Sequence, residues 1–429
     1  MPSAINETAR VESSIAKAAS ARIISIDALR GLVILVMIFV NDLGDVSGDV
    51  VPAWMKHYRG ENGMTFVDVV FPAFLFIVGM SIPFALGGRI NKGEPRRRTF
   101  SHVAVRTLSL LFIGILMVNG TPSTEKMGWS GPLWSTLMFL CAIFGFCSIS
   151  PSGRSAPSDQ RKKTFRVISM ILRLAGFAGL AYLAFAFRNK NGHPMITLSP
   201  FYIHHIWYGI LGYIGWAYLM SAVVFLIFRT NLTAILGCTV LMMCLYPANK
   251  LGMFDGLWIA KHVNIGIALG SRAAIAATGL LLGTMLLSTG AGEIWPRVRF
   301  ALLLTAGCAA AALLLNGLYG ISKDNGTPSW CLWGCAITAA LWLVFYFISD
   351  VHSIGIIAKP LAIAGQNVLL PYLISESLPS VLAVTGLDPW YDSLAQPTLP
   401  HAIIRSATCA VVILCLSTGL NRVGFRLKL

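Results

Sequence analysis

Charged residues are scarce in this sequence. Only 12% of its 429 residues are Asp, Glu, Lys or Arg, whereas 56% are hydrophobic. A soluble globular domain carries about 25% charged residues, so the composition excludes an ordinary soluble domain. The apolar residues fall in blocks of about 17–25, the length that crosses a hydrocarbon core of ~30 Å. The sequence therefore predicts an all-α fold, a polytopic transmembrane helical bundle.

Two further features are missing. Residues 1–22 lack the apolar run of a cleavable signal peptide, which predicts a cytosolic tail followed by a transmembrane domain over residues 23–429. Nearly all of the nine cysteines lie in apolar stretches, and Cys331 and Cys335 lack the additional His or Cys pair of a zinc site. We therefore expect buried thiols and no metal.

The net charge of +15 comes from basic residues that collect in alternate loops. This distribution is the positive-inside signature of a membrane protein and argues against nucleic acid as a partner. Hydropathy predicts about twelve spans, near residues 26–46, 65–87, 103–119, 132–150, 167–187, 206–228, 232–247, 271–289, 299–319, 330–348, 360–380 and 401–420.

The loop charges also predict the orientation. With a cytosolic N-terminus, cytosolic segments hold 22 basic residues and the opposite loops hold nine. Both termini and the linkers near residues 87–102 and 150–166 are then cytosolic, and the loop that carries His57 is extracytoplasmic. A bacterial inner membrane is the expected location.

Several polar residues lie where hydrocarbon should be, and such residues usually face partners. Asp27 and Arg30, three residues apart, form either an ion pair that anchors the first span or a contact for an anionic ligand. Asn41, just inside the outer surface, is placed to hold a carbonyl or hydroxyl group. Gln366, Asn367 and Glu376 share one span with Pro371, which predicts a cavity-lining helix.

His57 and Asp68 mark the start of the second span. A loop histidine is often inert, but the unperturbed pKa of histidine lies near neutrality and suits general-base catalysis. Asp68 lies four residues into the span, so we expect it to point inward and to orient His57 or a loop donor. Pro72 has no N–H and leaves the Asp68 carbonyl free of a helical hydrogen bond.

These motifs carry a family resemblance. RIISIDALRGLVILVMIFVN, followed by KHYRGENGMTFVDVVFPAFLFIVGMSI, resembles the opening of the heparan-α-glucosaminide N-acetyltransferase family, within a wider group of transmembrane acyltransferases. ISKDNGTPSWCLWGCAITAALWLVFYFISDV and KPLAIAGQNVLLPYLI resemble its C-terminal spans. The resemblance covers roughly residues 22–88 and 253–429. Residues from about 100 to 250 match poorly and hold an extra pair of spans beside ten family-like ones.

The resemblance implies that cytosolic acetyl-CoA donates an acetyl group to a glucosamine-type amine across the membrane. His57 matches the active-site histidine of the family, as general base or acetyl carrier, and Asn41 matches the asparagine beside it. Asp68 completes the expected catalytic set. The expected coenzyme A contacts are Asp27, Arg30, Arg89, Arg97, Arg98, Arg106 and Asn367.

The expected partners are acetyl-CoA, an amino-sugar or glycan acceptor and the lipid bilayer, with a homodimer left open. Three alternatives to an N-acetyltransferase stay open. One is O-acetylation of a cell-envelope polysaccharide, which needs the same base and carbonyl contacts. Another is a secondary transporter, although no inverted repeat stands out in the sequence. The last is a membrane scaffold without catalysis.

Overall fold

The structure of the protein is a computed structural model. It describes residues 23–46, 48–118, 122–151, 159–199, 201–204, 207–289 and 293–428. The predicted cytosolic tail, residues 1–22, and residues 152–158 of the second predicted linker lie outside the described residues.

The chain is a polytopic helical membrane protein, as its composition predicts. The helices are α1 Ile24–Gly44, α2 Val70–Asn91, α3 Arg96–Val118, α4 Thr124–Met127, α5 Gly131–Gly145, α6 Asp159–Ala186, α7 Gly209–Phe228, α8 Leu232–Lys250, α9 Arg272–Ser288, α10 Ile294–Tyr319, α11 Pro328–Tyr346, α12 Gly355–Ala364, α13 Leu369–Thr385, α14 Asp388–Ser393 and α15 Leu399–Arg422. Within the described residues, ten helical segments are long and apolar enough to cross a membrane.

Each of the twelve predicted spans coincides with a helical segment, but two of the segments differ from a full straight span. Helix α5 has 15 residues, which rise about 22 Å and fall short of a ~30 Å core. Helices α12 and α13 replace one predicted span and are bent by 71° relative to each other. Pro371 is the third residue of α13, a position where its missing N–H costs no helical hydrogen bond.

The predicted linker near residues 87–102 is mostly helical. Helix α2 extends to Asn91 and α3 begins at Arg96, so only residues 92–95 lie between them. Pro95 directly precedes α3, and its carbonyl accepts hydrogen bonds from the N–H groups of Arg98 and Thr99. Proline is common at a helix start because its ring presets the backbone angle and its missing N–H would be unpaired there.

The chain packs as two compact units. The described residues of the first lie within Met1–Val33, His57–Leu108 and Tyr213–Ala362, and those of the second lie within Ile34–Lys56, Ser109–Gly212 and Ile363–Leu429. In the first unit, a π-helical turn (Ile265–Ser271) leads into the almost fully buried α9, which packs on α2. A Cβ at Gly79 of α2 would collide with the Ala276 carbonyl, and one at Gly279 of α9 with the Phe76 carbonyl. Glycine at these positions allows the two backbones to approach closely.

The second unit combines helices with two small antiparallel sheets. Strand β1 (Cys147–Ile149) follows α5 and pairs with β4 (Phe425–Leu427), while β2 (Ile196–Leu198) pairs with β3 (Phe201–Ile203). This pairing ends the fourth predicted span at Gly145 rather than at residue 150. A buried apolar cluster joins the end of α1 and the segment after it to the start of α15 and the residue Ala395 before it; its members are Leu43, Val46, Val51, Met55, Ala395 and Ala402.

Candidate active site

The first unit places His57 against Asp68. His57 lies in the loop before a short 3-10 helix (Phe66–Val69), and its Nδ1 is 2.8 Å from Asp68 Oδ1. The Asp68 side chain is 1% exposed, whereas the His57 side chain is 47% exposed. A buried carboxylate thus holds a half-exposed imidazole.

Local sequence directs the Asp68 carboxylate. Its Oδ2 accepts hydrogen bonds from the backbone N–H of Thr65 at 3.0 Å and of Tyr58 at 3.1 Å. The contact with Thr65 is the acidic half of a capping box, in which the third helical residue binds the N–H of the cap residue. Backbone donors therefore satisfy the carboxylate, and its other oxygen remains for His57.

The contact fixes which ring nitrogen carries the proton. An ionised carboxylate only accepts hydrogen bonds, so His57 Nδ1 must donate to Asp68. In the neutral ring, Nε2 then carries the free lone pair. Nε2 can therefore act as a base or as a nucleophile. Asp68 orients the ring through Nδ1, and its negative charge stabilises positive charge that develops on the ring.

Lys323 completes the polar surroundings of the ring, and sequence reasoning missed it. Its Nζ lies 3.0 Å from both His57 Nδ1 and Nε2. Burial lowers the pKa of Lys323 below its ordinary value of 10.5, although the nearby Asp68 carboxylate acts in the opposite direction. The sequence signal was only indirect, since ISKDNGTPSW was one of the segments that resembled the family.

The loop that carries Lys323 is held on both sides. Asn62, from the His57 loop, accepts the Ile321 N–H through its Oδ1 at 2.8 Å. From the start of α9, Arg272 Nη2 donates to the Lys323 carbonyl at 3.1 Å and Ser271 Oγ donates to the Gly326 carbonyl at 2.6 Å. These contacts fix the backbone of Lys323 beside His57.

Aromatic side chains support the site from within the unit. The indole N–H of Trp330 donates to the Asp68 carbonyl at 3.2 Å, the carbonyl that Pro72 leaves without a helical donor. Phe71 stacks on Trp330, with ring centroids 6.4 Å apart. The Arg272 guanidinium lies 4.0 Å from the centroid of the Tyr213 ring. Trp330 is the second site residue that sequence reasoning missed.

Asn41 belongs to the second unit, whereas His57 belongs to the first. The Asn41 Nδ2 donates to Glu376 Oε1 at 3.1 Å, so α1 and α13 share this polar contact. The neighbouring Asp42 accepts hydrogen bonds from Tyr391, Arg405 and Ser406. Asp42 is therefore part of a compact ion and hydroxyl network.

The residues expected to bind coenzyme A make diverse contacts. Arg30 Nη1 donates to Asp27 Oδ1 at 3.0 Å, and Arg30 also donates to the Ser81 hydroxyl. Arg89 and Arg98 pair with Glu94 at 3.2 and 3.5 Å. Arg106 lies over the Tyr218 ring at 4.6 Å, and Arg97 is exposed. In the second unit, Asn367 donates to Asn421 at 3.1 Å.

Among the described residues, no three His, Cys, Asp or Glu side chains are grouped so that they could hold a metal ion.

Comparison with known proteins reveals two related acetyltransferases. Over 108 residues the chain is 32% identical to heparan-alpha-glucosaminide N-acetyltransferase of Homo sapiens, and over 108 residues it is 30% identical to the Mus musculus protein. These residues are 25% of this chain but only 15% and 16% of the two relatives. The match thus spans about a sixth of the length of each relative.

A family model covers more of the chain. It matches residues 22–249, which include His57 and Asp68 as well as the middle region where the resemblance to the acetyltransferases is poor. Because this match spans more than half of the 429 residues, the protein belongs to the family described as Domain of unknown function (DUF5009).

Proposed function

We propose that the protein is an integral membrane acetyltransferase that uses acetyl-CoA and acetylates a glucosamine-type amine on the opposite side of the membrane. The observation that carries this proposal is the 2.8 Å contact between buried Asp68 and half-exposed His57. The sequence similarity to two proteins named heparan-alpha-glucosaminide N-acetyltransferase supports the same reaction class.

In this reaction, His57 acts through Nε2. In one route, Nε2 removes a proton from the acceptor amine as the amine attacks the thioester. In the other, Nε2 attacks the thioester, carries the acetyl group and passes it to the amine. In both routes the ring gains positive charge, which the Asp68 carboxylate stabilises through Nδ1.

Asn41 is proposed to hold the thioester carbonyl as it gains negative charge. A donor in such a position contributes about 3 kcal/mol to the stability of the transition state. The Asn41 Nδ2 has two N–H groups, and Glu376 accepts from one of them. The other remains for the carbonyl oxygen, and Glu376 thereby acts as a positioning residue.

The donor site is proposed to lie at the cytosolic side. Coenzyme A carries several phosphate charges, which are costly to place in hydrocarbon and pair well with arginine. Arg30, Arg89, Arg97, Arg98 and Arg106 are the proposed phosphate contacts. Within the described residues, the buried Nε of Arg106 has no hydrogen-bond acceptor, which supports a ligand there. Asp27, Asp68 and Asn367 are the proposed contacts of the pantetheine arm.

The assay for this proposal uses the purified protein, labelled acetyl-CoA and glucosamine, with the product identified by mass spectrometry. We expect N-acetylglucosamine to form. If the protein leaves glucosamine unmodified but acetylates hydroxyl groups of an envelope polysaccharide, it is an O-acetyltransferase instead. If neither acceptor is acetylated, the proposal is wrong.

The bend between α12 and α13 favours a second candidate function, secondary transport. Broken spans line the substrate sites of many transporters, and Glu376 on α13 offers an ionisable group for coupling. Transporters of this kind place broken helices in matching halves of the chain, whereas one bent pair is found in the described residues. Substrate uptake into vesicles that contain no acetyl-CoA would identify a transporter.

A further inference from the structure

The amine of Lys323 lies over one face of the His57 ring. Nζ is 3.0 Å from each ring nitrogen. In the plane of the ring, a position equally close to both nitrogens would collide with Cε1, which joins them. The lone-pair directions of the two nitrogens also diverge, so Nζ lies along neither. Nζ therefore lies above the plane of the imidazole ring and is not aligned with the lone-pair direction of either nitrogen, as an in-plane hydrogen bond would require.

This position suits attack on an acetyl group carried by Nε2. An acetyl group bonded to an imidazole nitrogen lies in the ring plane, and a nucleophile approaches its carbonyl carbon from above that plane. Attack needs the amine about 3–3.5 Å from the carbonyl carbon. Nζ is 3.0 Å from Nε2 itself, so a rotation of the lysine side chain toward the substituent of Nε2 brings it to that distance. The lowered pKa of Lys323 raises the fraction of the free amine, the form that can attack. The contacts of Arg272 and Asn62 hold the backbone of the loop, and with it the base of the Lys323 side chain, beside His57.

We propose that Lys323 is an internal acetyl acceptor, which takes the acetyl group from His57 when no sugar is present. This inference rests on the proposed function, in the route where His57 carries the acetyl group. Lys323 occupies the place next to Nε2 that the amine of a sugar acceptor would take. The sugar and the lysine therefore compete for the same acetyl group.

The acetyl group reaches Lys323 in two chemical steps. Nε2 attacks the thioester carbon of acetyl-CoA, the C–N bond forms, the C–S bond breaks, and the coenzyme leaves as a thiolate. The neutral Nζ then attacks the same carbon, and the electron pair of the C–Nε2 bond returns to Nε2. Nε2 takes up the proton that Nζ loses, and that proton passes through solvent to the thiolate. The products are coenzyme A and Nε-acetyllysine at position 323.

The product would inactivate the protein. An amide is no longer nucleophilic and does not return its acetyl group to the imidazole, so the modification persists. The neutral acetyl-lysine also fills the space beside Nε2. We therefore expect incubation with acetyl-CoA alone to reduce the later transfer to glucosamine, and glucosamine present from the start to prevent this loss.

The test is peptide mass spectrometry of the full-length protein after incubation with labelled acetyl-CoA, with and without glucosamine. Lys261, an exposed loop lysine, reports the level of uncatalysed acetylation. We expect label on Lys323 well above that on Lys261, lowered about tenfold by saturating glucosamine, and lowered by about two orders of magnitude in His57→Ala. His57→Asn serves as a second variant if His57→Ala does not fold. In Lys323→Arg, the rate of transfer to glucosamine should be the same with and without prior incubation with acetyl-CoA, whatever the rate of the variant itself.

Each contrary result has a distinct meaning. If glucosamine is acetylated but Lys323 is not, the internal acceptor is ruled out and the proposed function stands. Equal labelling of Lys323 in the wild type and in His57→Ala would mean uncatalysed acetylation and would also overturn the inference. If neither glucosamine nor Lys323 receives label, both the proposed function and the inference fail.

Discussion

At the scale of single residues, the proposed reaction depends on a carboxylate that selects one tautomer of His57. In Asp68→Asn the new amide can donate as well as accept, so it no longer requires Nδ1 to carry the proton. We expect kcat for acetyl transfer to fall by about two to four orders of magnitude, while the KM for acetyl-CoA changes little. Steady-state kinetics with glucosamine measure both values.

A matched control for this variant is Asp324→Asn, which removes an exposed carboxylate from the Lys323 loop. Its kcat should stay near that of the wild type. If Asp68→Asn were as active as Asp324→Asn, the proposed role of the His57–Asp68 contact would be wrong.

The lowered pKa of Lys323 leads to a separate prediction about how the stability of the fold depends on pH. Burial places the pKa of Lys323 in the folded protein below 10.5, its ordinary value. At pH values between the lowered pKa of the folded protein and the ordinary pKa of the unfolded chain, the unfolded chain binds more protons than the folded one. The free energy of unfolding therefore rises with pH in that range. Lys323→Met removes this contribution. Thermal unfolding in detergent between pH 7 and about 10.5 should show a smaller gain in stability with pH in Lys323→Met than in the wild type. Parallel curves would contradict it.

The residues of the site differ in how far the sequence reveals them. His57 and Asp68 lie 11 positions apart, so the sequence already offered His57 as one of two expected partners of Asp68, beside a loop donor. Lys323 is 266 residues from His57, and hydropathy finds spans without showing which of them are neighbours. Trp330 is 262 residues from Asp68, and an indole near a span end is usually an interfacial anchor, so its contact with Asp68 was not predicted either.

At the scale of helices, close packing of α2 on α9 supports the start of α2, which directly follows the 3-10 helix that holds Asp68. A side chain at Gly79 would collide with the carbonyl of Ala276, whereas the space around Gly88 in the same helix is open. We expect Gly79→Ala to lower the free energy of unfolding by about 1–3 kcal/mol, the usual cost of overpacking. Gly88→Ala should be neutral or slightly stabilising, since alanine is the better helix former.

The measurement is thermal unfolding of the two variants in the same detergent. Equal transition temperatures for Gly79→Ala and Gly88→Ala would show that α2 and α9 accommodate a methyl group at position 79 without loss of stability. That result would contradict the close packing described for the first unit.

Helix existence was predictable, whereas helix shape was not. Each predicted span coincides with a helical segment because apolar blocks of this length have few other structures in lipid. The end of α5 at Gly145 depends on strand pairing between residues more than 270 positions apart. The 71° bend before α13 lies in a polar stretch that hydropathy averages over. The first feature arises from a tertiary contact, and the second is too short for a span-length hydropathy average to show.

At the scale of the whole molecule, the proposed orientation is testable by cysteine labelling. In a cysteine-free background, Glu61→Cys reports the His57 loop and Lys92→Cys reports the connection between α2 and α3, and both positions are exposed. The charge distribution predicts that an impermeant maleimide labels position 61 in intact cells and position 92 only after permeabilisation. The reverse pattern would contradict the orientation, and with it the proposed direction of transfer.

Composition alone predicted the class of the molecule, because so little charge and so many long apolar blocks are typical of a membrane protein. The acceptor was not predictable in the same way. An amine and a hydroxyl group need the same base and the same contacts to the thioester carbonyl. The residues around His57 are therefore expected to be the same for either acceptor.

The most direct test of the central claim is the rate of acetyl transfer by His57→Ala in proteoliposomes that contain acetyl-CoA and receive glucosamine. The matched control is His262→Ala, which alters a loop histidine whose ring packs on Trp258. If His57 Nε2 is the reacting group, His57→Ala should still insert and bind coenzyme A but should lose transfer by about two to four orders of magnitude, while His262→Ala stays active. Turnover of His57→Ala at the wild-type rate would remove His57 from the mechanism.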